Sequence, residues 1–342
     1  MILPGLVDVH VHLRVPGGEH KEDFRTGTAA ALAGGFTTLM AMPNTRPPLI
    51  TVDDYQIAQN ASVKDSLCDV FLYAGASDQH IAELPALARQ APALKLYMDE
   101  TYGELRVQGL ETLTQIAQTW PVDKVLALHA EGDSVAIGIG LAATYNRPVH
   151  FCHISRKEEI ELIAAAKARG LPVTCEVTPH HLFLTKSDAA RLGPLGDMHP
   201  RLAEQADVDA LWQHINTTID CIASDHAPHT LEEKTRSETP PPGVPGLEST
   251  LPLLLTAAAQ GRLSYTRLIE LLYSNPMRIF NLPKQPDTWV EVDEQAHYTF
   301  PDHPLYTKCG WSPFTGHEMT GRIINVVLRG KKVVKDGSVL FV

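Results

Sequence analysis

His10 and His12, in the run Asp8-Val9-His10-Val11-His12, close a short apolar stretch that reads as a β-strand. Period-two geometry puts both imidazoles on one face, where they could share a metal ion. Taken alone, such a pair is as often two ordinary strand histidines. Four more residues of ligand type recur at the ends of later apolar runs: Lys95, His129, His153 and Asp225. Strand ends are where barrel enzymes place their chemistry. A lysine amid imidazoles would repel a cation, whereas an N6-carboxylysine, formed from Lys95 with CO2 or bicarbonate, is anionic and offers two oxygens to bridge two metals. The set then suits a binuclear centre, its ions typically about 3.5–4 Å apart, that turns water into hydroxide and polarises a carbonyl. Nitrogen and oxygen ligands favour zinc, with other divalent ions open. Asp225 can both touch a metal and carry a proton as catalytic general acid and base.

These residues need a scaffold that brings distant strand ends together. Eight apolar runs alternate with helix-forming stretches: Leu6–Leu13, Phe36–Ala41, Cys68–Ala74, Ala93–Met98, Val125–His129, Pro148–His153, Pro172–Val177 and Ile219–Ser224. The alternation predicts an α/β fold, a closed (β/α)8 TIM barrel. Lys157–Arg169 is a helix by propensity, stopped by Gly170. Four prolines between Thr230 and Gly246 predict a long loop after the eighth strand. Beyond Gly316 the pattern changes to Ile323–Arg329 and Val333–Val334 with an Asp336-Gly337 turn, a small C-terminal β appendage. The expected division is a barrel over 1–285 and an extension over 286–342.

The chain has 342 residues, 44% hydrophobic and 20% charged, enough apolar material for one large core. A net charge of −11 with no basic block argues against a nucleic-acid partner and for a small-molecule substrate. Five irregularly spaced cysteines speak against a disulfide framework and for a reducing compartment. No apolar run reaches membrane-span length and no signal peptide is recognisable, so no membrane partner and a cytoplasmic location are expected.

DVHVHLR (Asp8–Arg14) and ASDHAPHTLEEK (Ala223–Lys234) resemble the two signature motifs of the dihydroorotases, members of the metal-dependent amidohydrolases. The similarity runs through Gly17–Gly35, Ala41–Pro48, Lys167–Leu184 and Pro245–Ala257, and is strongest to the domain found in animal-type multifunctional pyrimidine-synthesis polypeptides. The resemblance implies reversible cyclisation of N-carbamoyl-L-aspartate to L-dihydroorotate. It implies one zinc on His10, His12, carboxylated Lys95 and Asp225, and another on Lys95, His129 and His153. Cys152 and Glu176 match residues for a third zinc, although strand alternation sets Cys152 opposite His153. Arg14 and Asn44 match a grip on the substrate carboxylate, assisted by His229, and a guanidinium suits that task. Thr101 and Tyr102 fall in a mobile lid. A homodimer and a place within a multienzyme pyrimidine-synthesis polypeptide are further expectations.

Two positions depart from the pattern. Val15 stands where many relatives have glutamate. His199 occupies the place of a substrate-contacting arginine, which predicts weaker binding unless Arg201 substitutes. Two other functions stay open: another cyclic amidohydrolase, such as a hydantoinase, dihydropyrimidinase or allantoinase, and a catalytically silent scaffold domain. The remaining histidines, among them His20, His80, His150, His180, His181 and His214, are expected in packing or surface roles.

Overall fold

The computed structural model describes residues 1–101, 103 and 105–341. Strand β1 (Ile2–Pro4) precedes the barrel strands β2 (Leu6–Val11), β3 (Phe36–Ala41), β4 (Asp69–Leu72), β5 (Ala74–Gly75), β6 (Ala93–Tyr97), β7 (Val125–His129), β8 (Val149–Phe151), β9 (Val173–Val177) and β10 (Cys221–Ile222). β2, β3 and β4 pair in parallel, as do β5 through β10 in sequence order. Two junctions complete the ring. β4 and β5 are one strand broken at Tyr73, and β2 meets the segment after β10 through the Val11–His226 bridge and the His12 N–H to His226 carbonyl bond of 2.8 Å. The eight expected strands are therefore present, the third in two pieces.

The strands form because β-branched and apolar residues fill both faces. Every residue of β3 and β6 is buried, as a sheet covered by helices requires. On β6 and β7 alternate residues separate: Leu94, Leu96, Leu126 and Leu128 pack outward beneath helices, while Ala93, Val125 and Ala127 belong to an inner core with Phe280 and Leu282. Helices follow the strands at Phe24–Ala33, Val52–Asp65, Leu84–Leu87, Leu110–Thr119, Asp133–Tyr145, Lys157–Ala168, Gln205–His214 and Leu247–Ala259. Asp23 and Thr26 cap the first reciprocally, satisfying two backbone donors that a helix start leaves open.

Three details differ from the sequence expectations. The loop after β10 holds a short helix, Leu231–Arg236, started by a Thr230–Glu233 capping box. The accessory sheet runs β1-β11-β12-β13-β14, with β11 (Trp289–Phe300), β12 (His317–Leu328), β13 (Lys331–Lys335) and β14 (Ser338–Val339). β1 pairs antiparallel with β11, so residues 2–4 contribute to the accessory sheet and not to the barrel. β11 escaped notice because its residues from Asp293 to Thr299 are polar or half-exposed and show no apolar alternation. The turns at Arg329-Gly330 and Asp336-Gly337 each have two residues of positive φ, which suits tight hairpins. All five cysteines are free, and no helix of the described residues is long and apolar enough to cross a membrane.

Candidate active site

The carboxyl ends of the barrel strands converge on a small cavity lined by His10, His12, Arg14, Asn44, Tyr97, Thr101, His129, His153, His199 and Asp225. His10 lies within β2 and His12 just beyond it. Lys95 and Tyr97 alternate inward on β6, and His129 ends β7. His153 and Asp225 follow β8 and β10 with φ of 36° and 45°, and Arg14 has φ of 61°. Left-handed backbone at three non-glycine residues is costly and collects where a site over-determines the chain. The turn at His153 also corrects the expectation from alternation: Cys152 and His153 both reach the barrel interior, because the chain has left the strand at Phe151.

Among the described residues, two groups of side chains are close enough to hold a metal. In one, ligand atoms of His10, His12 and Asp225 lie within 4.8 Å of one another, and in the other those of His10, Cys152 and Glu176 do. Asp225 Oδ1 is 3.1 Å from His12 Nε2 and 3.3 Å from His10 Nε2, and His10 Nδ1 is 2.5 Å from Glu176 Oε1. Burial acts to raise the Asp225 carboxyl, but His10 and His12 hold it below the ordinary carboxylate range. Burial pushes His12 down to about 4 and lowers His129 and His153 as well. Neutral imidazoles beside an ionised carboxylate are what a divalent cation needs from its ligands.

Across the cavity His129 Nδ1 and His153 Nε2 lie 2.8 Å apart. Lys95 Nζ, Tyr97 Oη, His129 Nε2 and His153 Nδ1 are buried without a hydrogen-bond partner among the described residues. Glu131 Oε1 stands 3.4 Å from His129 Nε2 without making a hydrogen bond. Buried polar atoms are nearly always satisfied, so these four, on three cavity-lining residues and on Lys95 two residues before Tyr97, are donors and acceptors fit for a bound group. Their chemistry fits metal ions and a carboxylated lysine.

Beside this cluster Asn44 Oδ1 accepts from His12 Nδ1 at 2.8 Å, and Arg14 Nη2 lies 3.0 Å from His229 Nε2. A second, larger cavity of about 420 Å³ opens next to the first and shares Arg14 and Asn44 with it. Gly243 (φ 133°) passes so close that a Cβ there would sit 2.6 Å from the Ala227 carbonyl oxygen and 3.2 Å from His229 Cδ2. His199 lines the histidine cavity, 3.3 Å from the Glu100 carbonyl oxygen, whereas Arg201 is exposed and does not line it. Thr101 lines the cavity too; Tyr102 lies outside the described residues.

Four neighbours went unnoticed in the sequence. Lys21 reaches His229 Nδ1 at 3.1 Å, Tyr97 lines the cavity, and Glu22 Oε2 lies 3.3 Å from Nε2 of His226, the residue after Asp225. Lys21 and Glu22 sit in a loop whose fold alone brings Lys21 to residue 229 and Glu22 to residue 226, although Tyr97, two residues past Lys95, was legible from strand alternation. His150 and His181 are satisfied by Thr174, Glu176, Thr178 and Pro200, as packing roles require, while His180 Nε2 has no partner among the described residues.

A family model described as dihydro-orotase-like matches residues 1–183. The chain is 47% identical over 339 residues to the multifunctional protein CAD of Squalus acanthias, a match covering 99% of this chain and 15% of that protein. It is 34% identical over 361 residues to a dihydroorotase of Pyrococcus abyssi, covering 99% of this chain and 85% of that one. Among solved structures, an L-hydantoinase (dihydropyrimidinase) from Arthrobacter aurescens superposes with a TM-score of 0.94 at 25% identity, covering 99% and 86% of the two chains.

Proposed function

The chain belongs to the dihydro-orotase-like family, and from that membership and the geometry of the cavity we infer that it interconverts L-dihydroorotate and N-carbamoyl-L-aspartate. The observation that carries the reading is the set of four open polar atoms beside Arg14 and His229. The first asks for metals and a carbamate; the second asks for a carboxylate. Hydantoin and dihydrouracil rings have no carboxylate to offer Arg14, which favours dihydroorotate over the substrates of the structurally similar hydantoinase. Retention of His10, His12, Lys95, His129, His153 and Asp225 argues against a silent scaffold.

In this reading His10, His12 and Asp225 would hold one zinc ion and His129 and His153 another, with carboxylated Lys95 as a ligand to both. Zinc supplies Lewis acidity toward the ring carbonyl and makes water nucleophilic at neutral pH. Arg14 and Asn44 hold the substrate carboxylate, His229 assists, and the guanidinium fixes ring orientation by two-point contact. Asp225 takes the proton from water and passes it to the ring nitrogen as the C–N bond opens, and does the reverse in cyclisation. Thr101 and His199 face the substrate from the cavity wall. Cys152 and Glu176, with His10, would hold a third zinc. The relationship to a much longer multifunctional protein supports a domain within a multienzyme polypeptide, and a cytoplasmic homodimer is proposed with it.

Purified protein supplied with zinc and bicarbonate should convert each compound into the other, and a chelator should abolish both directions. Metal-bound protein that ignores both compounds yet opens hydantoin, dihydrouracil or allantoin would move the assignment to another cyclic amidohydrolase.

A further inference from the structure

Three of the four open atoms at the strand ends have a use in the reading above: Lys95 Nζ takes up CO2, and His129 and His153 offer lone pairs. Tyr97 Oη has none. It is buried, without a hydrogen-bond partner among the described residues, on a residue that shares the cavity wall with Arg14, Asn44 and Asp225. Strand β6 sets this place by period two. Lys95 and Tyr97 point the same way, with Tyr97 about 7 Å further toward the carboxyl end, in register with His129 of β7. Lys95 lies deeper, its Nζ 5.1 Å from the centre of the Tyr97 ring, and does not line the cavity. Tyr97 therefore meets what enters the cavity, and the unmodified lysine does not.

A phenylalanine would fill the same volume without the hydroxyl. At neutral pH a phenol is protonated and donates, and a buried donor left unmet is a cost that an acceptor on a ligand removes. Arg14 and Asn44 take the carboxylate of dihydroorotate in this reading, which leaves the carbonyl oxygens of the ring as its acceptors. One of them gains negative charge during the reaction.

We propose that Tyr97 is a catalytic residue whose Oη–H donates a hydrogen bond to the oxygen of the ring carbonyl under attack. In hydrolysis the water oxygen adds to the carbonyl carbon, and the carbonyl π pair moves onto its oxygen as negative charge. Return of that pair expels the ring nitrogen, which takes from Asp225 the proton that the water gave up. The products are a carboxyl group, which ionises, and a ureido group. Tyr97 keeps its own proton throughout, steadying the charge without entering the transfer. A fixed donor aimed at an oxygen that becomes anionic binds the transition state more tightly than the ground state, so its effect falls on kcat. This inference rests on the reading that the cavity opens a cyclic amide, and it adds one residue to that reaction.

The test is Tyr97→Phe in zinc-loaded protein supplied with 13C-bicarbonate, followed by elemental analysis, carbon NMR of the carboxylated lysine, and steady-state kinetics. Metal content and the 13C signal should match wild type. For L-dihydroorotate, kcat should fall about 10²-fold, the scale of one lost oxyanion donor, with KM within about threefold. An unchanged kcat overturns the proposal, as does a raised KM with kcat intact. Loss of metal or of the 13C signal also overturns it, because the hydroxyl would then serve the lysine carboxylate and not the substrate. If Tyr97→Phe does not fold, 3-fluorotyrosine in place of Tyr97, a stronger donor of nearly the same shape, decides by the same split: a changed kcat with KM and metal held supports the proposal, and an unchanged kcat overturns it. Wild-type protein that ignores dihydroorotate but opens hydantoin or dihydrouracil defeats the functional reading, and kcat of Tyr97→Phe on that ring still decides the role of the hydroxyl. Metal-bound wild type that opens no ring defeats both.

Discussion

Asp225, which faces the cavity, and His226, which faces away from it, are consecutive in the chain, and their surroundings treat polar atoms in opposite ways. Behind, Glu22 accepts from Thr307 Oγ1 at 2.5 Å and from the Lys308 N–H, and lies 3.3 Å from His226 Nε2. His226 Nδ1 accepts from the Gly246 N–H at 3.2 Å, and Glu248 accepts from the N–H groups of Tyr306 and Thr307. In front, Lys95 Nζ, Tyr97 Oη, His129 Nε2 and His153 Nδ1 are equally buried and unmet among the described residues. A satisfied buried network holds the frame, and open donors and acceptors are what a ligand site offers. The difference sorts the signature motif Ser224-Asp225-His226-Ala227-Pro228-His229 into an inward acid at Asp225 and a rearward anchor at His226.

That contrast breaks most visibly in the cavity. Asp225→Asn should lower kcat by about 10³-fold or more, the scale of a lost general acid–base together with a metal contact. Lys95→Ala should lose both metal and turnover, read by elemental analysis beside the assay. Small carboxylates are not expected to rescue it. Next in size, Arg14→Gln should raise KM for dihydroorotate about ten- to a hundredfold while leaving bound metal intact, since a charged hydrogen bond to the carboxylate is lost.

The rear responds in stability. Glu22→Ala leaves buried donors without their acceptor and should cost about 3 kcal/mol in urea unfolding. Turnover per folded molecule should fall far less than in Asp225→Asn. The smallest effect is a pH trend. Burial pushes Glu248 up to about 7 from its ordinary 4.5. Folded protein then keeps a proton that unfolded chain has released, so this group's contribution to stability declines as pH rises from 4.5 through about 7. Unfolding of Glu248→Gln followed across that range should show the slope reduced relative to wild type.

Much of the front was legible in sequence and little of the rear. His10, His129 and Lys95 follow from strand ends and period two, which are local properties. His153 was legible as a strand-end residue, but the left-handed turn that brings it to the same side as Cys152 was not. The Glu22–Thr307 contact spans 285 residues, and β1 pairs with β11 across almost the whole chain. No local spacing announces such partners. Glu22 and Lys21 read as ordinary charges in a polar loop, and only the packed structure shows that both are buried. His199 was found by resemblance, and its place on the cavity wall keeps open the expectation of weaker substrate binding, which an ordinary KM and an unaffected His199→Ala would count against.

The central claim is that the four open atoms at the strand ends form a metallohydrolase centre. Its most direct test titrates zinc back into chelated protein while hydrolysis of L-dihydroorotate and bound metal are followed together. Turnover should be absent from the stripped protein and rise with metal bound, and a variant lacking the side chains of Lys95 and His129 should recover neither. Full activity in the stripped protein, or a full metal complement in that variant, would contradict the account.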